Sequence, residues 1–310
     1  MKLATRINSF LPVYDHDLNQ VFSKFKSLGL THVDLNYPEH VKGFSASEMK
    51  ALLSGNDLEA NGVALRFRNE FINGELGNSD QEIAQQALVL CKEAADYCRE
   101  VGGKVVTIWL GFDGFDYSFQ INYQKVWNQL VNAFKEIAEY APDLKISIEY
   151  KPFQPRAYAF IDSMGVAGMM LNDIDRENVG VTLDYCHMLM KHENPAFGAD
   201  IFGSRDKLYG VHINDGYGLN DDGLMIATAT PFKTLEFLYY VKKHKFDDAI
   251  YFDTFPIIEH AIKESEQNIK MIKMLNDMID KVGMNIIQDI IDRNDAIEAS
   301  ELMMRFLSNS

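Results

Sequence analysis

The stretch I-S-I-E-Y-K-P-F-Q-P-R, Ile146 to Arg156, begins as a strand and stops at Pro152. Side chains along a strand alternate between faces, so Glu149 and Lys151 point one way and Tyr150 the other. An acid and a base thus share one face at the C-terminal mouth of a strand, just ahead of a proline-punctuated loop. Charged groups at the end of a buried strand need partners. These two can satisfy each other as a strand-end ion pair, or something can bind them, and the remaining strand ends bear on the choice.

Working outward, short β-rich runs alternate with amphipathic helical runs along the whole chain. The expected strands are Leu3–Asn8, Thr31–Tyr37, Gly62–Phe67, Lys104–Leu110, the opening stretch, Val179–Asp184, Leu208–Asn214 and Ile250–Phe255. Helical patterns fall between them at Asp17–Leu28, from the box Ser45-x-x-Glu48, from Ser79-x-x-Glu82 to about Val101, at Asn122–Tyr140, at Ala159–Asn172 and from Thr230-Pro231 to His244. Such alternation implies a parallel sheet with crossover helices. Eight units over roughly 280 residues match a (β/α)8 TIM barrel. An open doubly wound sheet would carry a glycine-rich phosphate loop after an early strand, and the sequence has none. The expectation is therefore a barrel over residues 1–283. A C-terminal helical extension, 284–310, follows the break at Gly283-Met284-Asn285; its apolar periodicity suits either a helix on the barrel's own flank or an arm of a homo-oligomer.

Composition narrows the class. The 310 residues are 47% hydrophobic and the formal net charge is -15, which argues against a nucleic-acid footprint. No run of about eighteen apolar residues or signal-peptide core is present, so no membrane association is expected. Cys91, Cys98 and Cys186 show no C-x-x-C spacing, and the reducing setting this implies is cytoplasmic.

In a barrel the C-terminal strand ends meet on one rim. Strand five ends in Glu149 and strand six, V-T-L-D-Y-C-H, in Asp184 with His187 three residues on. Strand seven, V-H-I-N-D, brings His212 with Asn214 and Asp215, and strand eight, Y-F-D-T-F-P, brings Asp253. Carboxylates converging this closely repel one another unless a cation joins them. The mixed oxygen and nitrogen set suits manganese, cobalt, magnesium or zinc. The loop holding Asn220, Asp221 and Asp222 reads either as an ordinary turn or, with His187, as a second cation position.

Taken together, E-Y-K-P-x-x-P-R, L-D-x-x-H, H-x-N-D with its acidic loop, and F-D-T-F-P resemble the xylose isomerase-like TIM-barrel superfamily, and most of all its L-rhamnose and xylose isomerase type. That resemblance implies a metal-dependent sugar isomerase shifting hydrogen between C1 and C2. In it Glu149, Asp184, His212 and Asp253 would hold the structural metal, while His187 and Asp222, joined by Asn220 or Asp221 if the alignment slips by one residue, would form a second site. Lys151 would meet the sugar carbonyl or O1, Trp109 would supply an aromatic wall, and Arg66 and His187 further substrate contacts. Lys151, Glu149, His187 and Asp222 are thus the expected catalytic groups. Arg68, Asn36 and the residues around Asp113 are further candidates for the substrate. Gln154 replaces the glutamate usual in the family's K-P-N-E-P loop, so no metal role is expected for it. A ketose 3-epimerase on the same fold, using two metal-bound glutamates where this chain has the shorter Asp253 on strand eight, is the alternative. An apurinic-site endonuclease of this barrel type fits the acidic balance poorly, and a non-enzymatic metal-containing binding protein is the remaining class.

Overall fold

The computed structural model describes residues 1–308. At its centre are eight parallel strands, β1 (Leu3–Thr5), β2 (His32–Tyr37), β3 (Glu59–Leu65), β4 (Val105–Trp109), β5 (Lys145–Glu149), β6 (Val179–Asp184), β7 (Leu208–Ile213) and β8 (Ile250–Phe252). They pair in the order β1-β8-β7-β6-β5-β4-β3-β2. The remaining seam is bridged at Thr31, whose N–H donates to the Leu3 carbonyl at 3.1 Å and whose hydroxyl accepts the Leu3 N–H at 3.1 Å. The result is the expected TIM barrel.

Helices wrap it in chain order: α1 (Leu18–Leu28), α2 (Ala46–Gly55), α3 (Gln81–Val101), α4 (Tyr123–Tyr140), α5 (Met164–Ile174), α6 (Tyr185–Met190), α7 (Pro195–Gly203), α8 (Pro231–Lys243) and α9 (Ala261–Val282), followed by α10 (Met284–Arg293) and α11 (Ala296–Ser308). Their ends follow local chemistry. Asp17 and Gly29 cap α1, and Ser45 with Glu48 forms the capping box of α2.

Strand alternation sorts the layers. Ile146, Ile148, Val179, Val181, Leu183, Val211, Ile213, Ile250 and Phe252 join the apolar core between sheet and helices. The intervening positions face the barrel axis and are small or polar: the Ser147 and Thr182 hydroxyls meet at 2.6 Å. Gly210 is required there, since a Cβ would come within 2.3 Å of Thr182 Oγ1. The same parity turns Glu149, Asp184, His212 and Asp253 inward at the mouth.

Several boundaries differ from the sequence reading. β1 ends at Thr5 and passes into two 3-10 turns, Ile7–Ser9 and Leu11–Tyr14. Asp80, not Ser79, caps α3, its carboxylate accepting the Glu82 N–H. α5 starts at Met164, because Tyr158–Ala159 pairs antiparallel with Gly114–Phe115 as a small ribbon over the mouth. The C-terminal run divides at Asn294, which adopts a left-handed conformation. Both of its helices lie on the barrel's own flank, with Ile287, Ile290 and Phe306 buried and the Tyr239 hydroxyl donating to Gln288 at 2.9 Å. Among the described residues, no helix is long and apolar enough to cross a membrane.

Candidate metal centre

The inward-facing ends of β5, β6 and β7, with Asp253 one residue past β8, form a single cluster. One ligating atom each from Glu149, Asp184, His212 and Asp253 lies within 4.8 Å of the others. All four residues are buried. His212 Nδ1 stands 3.4 Å from Glu149 Oε2, and the ring packs on Tyr251 with centroids 4.8 Å apart. Asn214 stitches the cluster from beneath. Its amide donates to both Asp184 oxygens at 3.4 Å and to the Asp253 carbonyl at 3.1 Å, while its oxygen accepts the Cys186 N–H at 2.8 Å. Arg6 pins Asp253 through Nη1–Oδ1 at 3.2 Å and lies over the Phe255 ring.

A second group, Asp184, His187 and Asp221, adjoins the first. His187 Nδ1 donates to the Tyr150 carbonyl at 3.0 Å, leaving Nε2 3.3 Å from Asp221. Lys151 Nζ reaches the same Asp221 oxygen at 2.9 Å and stands 5.5 Å from the centroid of the Trp109 ring. The lysine's positive charge therefore already occupies the second carboxylate group.

Electrostatics tell the same story. Burial alone would lower both histidines, yet Glu149, Asp253 and Asp184 raise His212 to about 9, and Asp184, Asp221 and Glu149 do the same for His187. Burial would raise Glu149, but His212 and His187 outweigh it and bring its carboxyl to about 2. Asp221 is likewise driven below its ordinary range against burial, by His187 and Lys151. Burial dominates at Asp184, tempered by His187, and lifts it to about 7. Crowded carboxylates draw protons onto the histidines, and a cation would take over that role. His212 Nδ1 is buried and meets no partner closer than Glu149 Oε2 at 3.4 Å among the described residues, so a cation that displaces its proton would find this nitrogen available as a ligand. A buried, oxygen-rich set with one imidazole is able to coordinate a divalent metal ion.

Not every expected residue reaches the cluster. Asp222 turns away, accepting the Tyr217 N–H at 2.8 Å, and Asp221 takes the place expected for it. The loop after β7 has no periodicity to fix its register, which the sequence leaves open by one residue and the fold sets at Asp221. Asp215 caps the start of α8 instead, accepting the Ala229 and Thr230 N–H groups and the Thr230 hydroxyl at 2.8–2.9 Å. Asp113 is buried and holds the 69–78 loop, accepting the Glu75 and Gly77 N–H groups at 2.9 and 2.8 Å. Asn36 is engaged by Asn8 and His40. Arg68 is exposed and pairs with Glu39, whereas Arg66 is half-buried. Gln154, at hydrogen-bonding distance from Asn220 and Asp221, braces the loop. Arg6 was missed, although L-A-T-R places it on the inward face with Ala4, two residues along.

Residues 22–275 match the family model described as a xylose isomerase-like TIM barrel. A protein of Mesorhizobium japonicum named as a probable sugar isomerase is 26% identical over 168 residues, 52% of this chain and 37% of that one. The xylose isomerase of Thermus thermophilus is 25% identical over 150 residues, 47% of this chain and 39% of the enzyme. The chain thus matches well under half the length of these curated relatives. Among solved structures, a D-tagatose 3-epimerase-like protein superposes with a TM-score of 0.70 at 18% identity, covering 91% of this chain and 99% of that one. A D-allulose 3-epimerase from Methylomonas sp. gives 0.70 at 18% identity, covering 83% and 91%. A xylose isomerase domain protein of Alicyclobacillus acidocaldarius gives 0.69 at 17%, covering 89% and 98%. With the family model spanning most of the barrel and these structures sharing its fold, the chain belongs to the xylose isomerase-like TIM-barrel family.

Proposed function

We propose that this protein is a divalent-metal-dependent enzyme acting on a sugar, and that its reaction is inversion at C3 of a ketose in preference to the C1–C2 shift that the motifs first suggested. The observation that carries this reading is the Lys151–Asp221 ion pair at 2.9 Å. An ammonium balances the second carboxylate group, leaving one cation position, formed by Glu149, Asp184, His212 and Asp253. A C1–C2 shift shared between two cations lacks its second place, whereas proton transfer needs one cation and two carboxylates. Ketose 3-epimerases recur among the solved structures of the same fold.

When bound, a divalent cation would polarise the ketose carbonyl and an adjacent hydroxyl, acidifying the C3 hydrogen. The chain's own residues do the rest. Glu149, held ionised by the histidines beside it, removes the C3 proton. Asp253, on the other flank of the cluster and beside Arg6, hands a proton taken up from solvent to the opposite face, and Glu149 gives its own proton back to solvent, so that turnover exchanges the C3 hydrogen. Lys151 and His187 supply donors for the oxygens on which negative charge develops, and Trp109 keeps water from that side. Asp253 is one methylene shorter than the glutamate usual in 3-epimerases, and the Arg6 contact sets where its oxygens stand. The manganese-loaded protein, incubated with a panel of ketoses in D2O and followed by NMR, should invert C3 and place deuterium there. Aldose formation with C3 untouched overturns the reading in favour of the isomerase.

A further inference from the structure

Charge is unevenly distributed around the mouth. The carboxylates Glu149, Asp184, Asp221 and Asp253 lie on the β5–β8 side. Arg6 follows β1 and Arg66 follows β3 on the facing side, and in an eight-strand barrel of this order β3 stands across from β7 and His212. Val63 and Leu65 pack outward into the core, so alternation turns Gly62, Ala64 and Arg66 toward the axis. Arg66 also adds to burial in opposing protonation of His40, which follows the neighbouring strand β2.

The other two cations are engaged, Arg6 with Asp253 and Lys151 with Asp221. A divalent ion, once bound, would offset Glu149 and Asp184. Arg66 is left over. Among the described residues its half-buried guanidinium makes no hydrogen bond or ion pair. An unpaired, partly desolvated guanidinium is costly unless a ligand supplies the anion, and its planar fork matches carboxylate and phosphate oxygens in pairs. We propose that the sugar taken by this site carries a terminal anionic group, a carboxylate or a phosphate, and that Arg66 binds it. The inference rests on the sugar reading above. A sugar whose C2–C3 end lies at the β5–β8 cluster directs its far end toward β3. The chain's overall charge of -15 makes this local excess of positive charge the more selective.

Open-chain polyols without a carbonyl cannot react, so they report binding alone. Isothermal titration of the manganese-loaded protein with sorbitol, gluconate and sorbitol 6-phosphate compares a neutral, a carboxylate and a phosphate terminus. One anionic probe is expected to bind at least about ten-fold tighter than sorbitol, with a preference that shrinks as salt is added. Which probe wins identifies the substrate as a sugar acid or a sugar phosphate. Arg66→Gln should abolish the preference, weakening the anionic probe far more than sorbitol, and Arg66→Lys should retain part of it, with melting curves verifying that both variants fold. Sorbitol binding as tightly as the anions overturns the inference alone, as does an anion preference that survives in Arg66→Gln, the sign of chelation at the cation. Failure of all three probes to bind overturns the sugar reading with it.

Discussion

Glu75 provides a test of the buried electrostatics that is independent of any metal. It lies in the loop after β3, fully enclosed, with its two carboxyl oxygens accepting the Phe112 N–H at 2.9 and 3.0 Å. Asp113 reaches back across the same contact and pins the loop. Burial and then Asp113 push the Glu75 carboxyl up to about 9 from 4.5. Burial lifts Asp113 only to about 6, because the Gly77 and Glu75 N–H groups and Arg156 favour its ionised form. The folded protein therefore keeps a proton on Glu75 at neutral pH. A folded-state value above the unfolded one gives stability that is fully present below pH 4.5 and lost as pH rises through 9. Each pH unit in that window removes up to about 1.4 kcal/mol. Glu75→Gln is neutral at every pH and keeps a carbonyl oxygen for Phe112. Allowing for one lost hydrogen bond of about 1 kcal/mol, the variant should be more stable than the parent by about 2–4 kcal/mol at pH 8.5. At about 2 °C per kcal/mol for a chain of this size, thermal melts should show a Tm gain of roughly 4–8 °C there, shrinking to near zero at pH 5. A pH-independent difference, or a variant that melts lower at pH 8.5, refutes the reasoning.

Three further outcomes follow from the geometry. Lys151→Met removes the ammonium from Asp221, so metal analysis after manganese loading should find a second ion per chain in the variant, with turnover lost; an unchanged stoichiometry counts against the one-cation reading. Asp222→Asn should keep parental metal content and turnover, whereas Asp221→Asn should lower turnover by at least about ten-fold through Lys151 and His187; equal effects in steady-state assays would show that the loop register is misread. Phe306, buried beneath α11, should cost about 3 kcal/mol on truncation to alanine, read as a lower denaturation midpoint in urea, and a cost near zero would mean that α11 is not docked on the flank.

How much of this was legible in the sequence depends on what fixes each residue. Glu149, Asp184, His212 and Asp253 could be read because strand parity and strand end determine both the direction and the height of a side chain. Lys151 lies on the same face for the same reason, but its partner could not be read, since Asp221 comes from a loop whose path is set by tertiary contacts such as Gln154 and the Asp215–Leu224 bridge. Arg6 shares the inward parity of Ala4, but its partner could not be read, since the chain leaves the sheet at Thr5 and the arginine bends toward Asp253 of the neighbouring strand end. Glu75 and Asp113 lie in polar loops that read as exposed, and only the fold shows that they bury each other. The ribbon of Gly114–Phe115 with Tyr158–Ala159 is two residues per strand, too short for any period to declare itself.

The claim on which the rest depends is that Glu149, Asp184, His212 and Asp253 together hold one divalent cation. Chelated protein, reloaded with manganese and followed by titration and metal analysis, should take up one ion per chain tightly. Glu149→Gln and His212→Ala should each weaken that uptake by about a hundred-fold or more, while the melting temperature of the parent rises on loading. Manganese bound equally well by both variants, or not bound by the parent at all, contradicts the account.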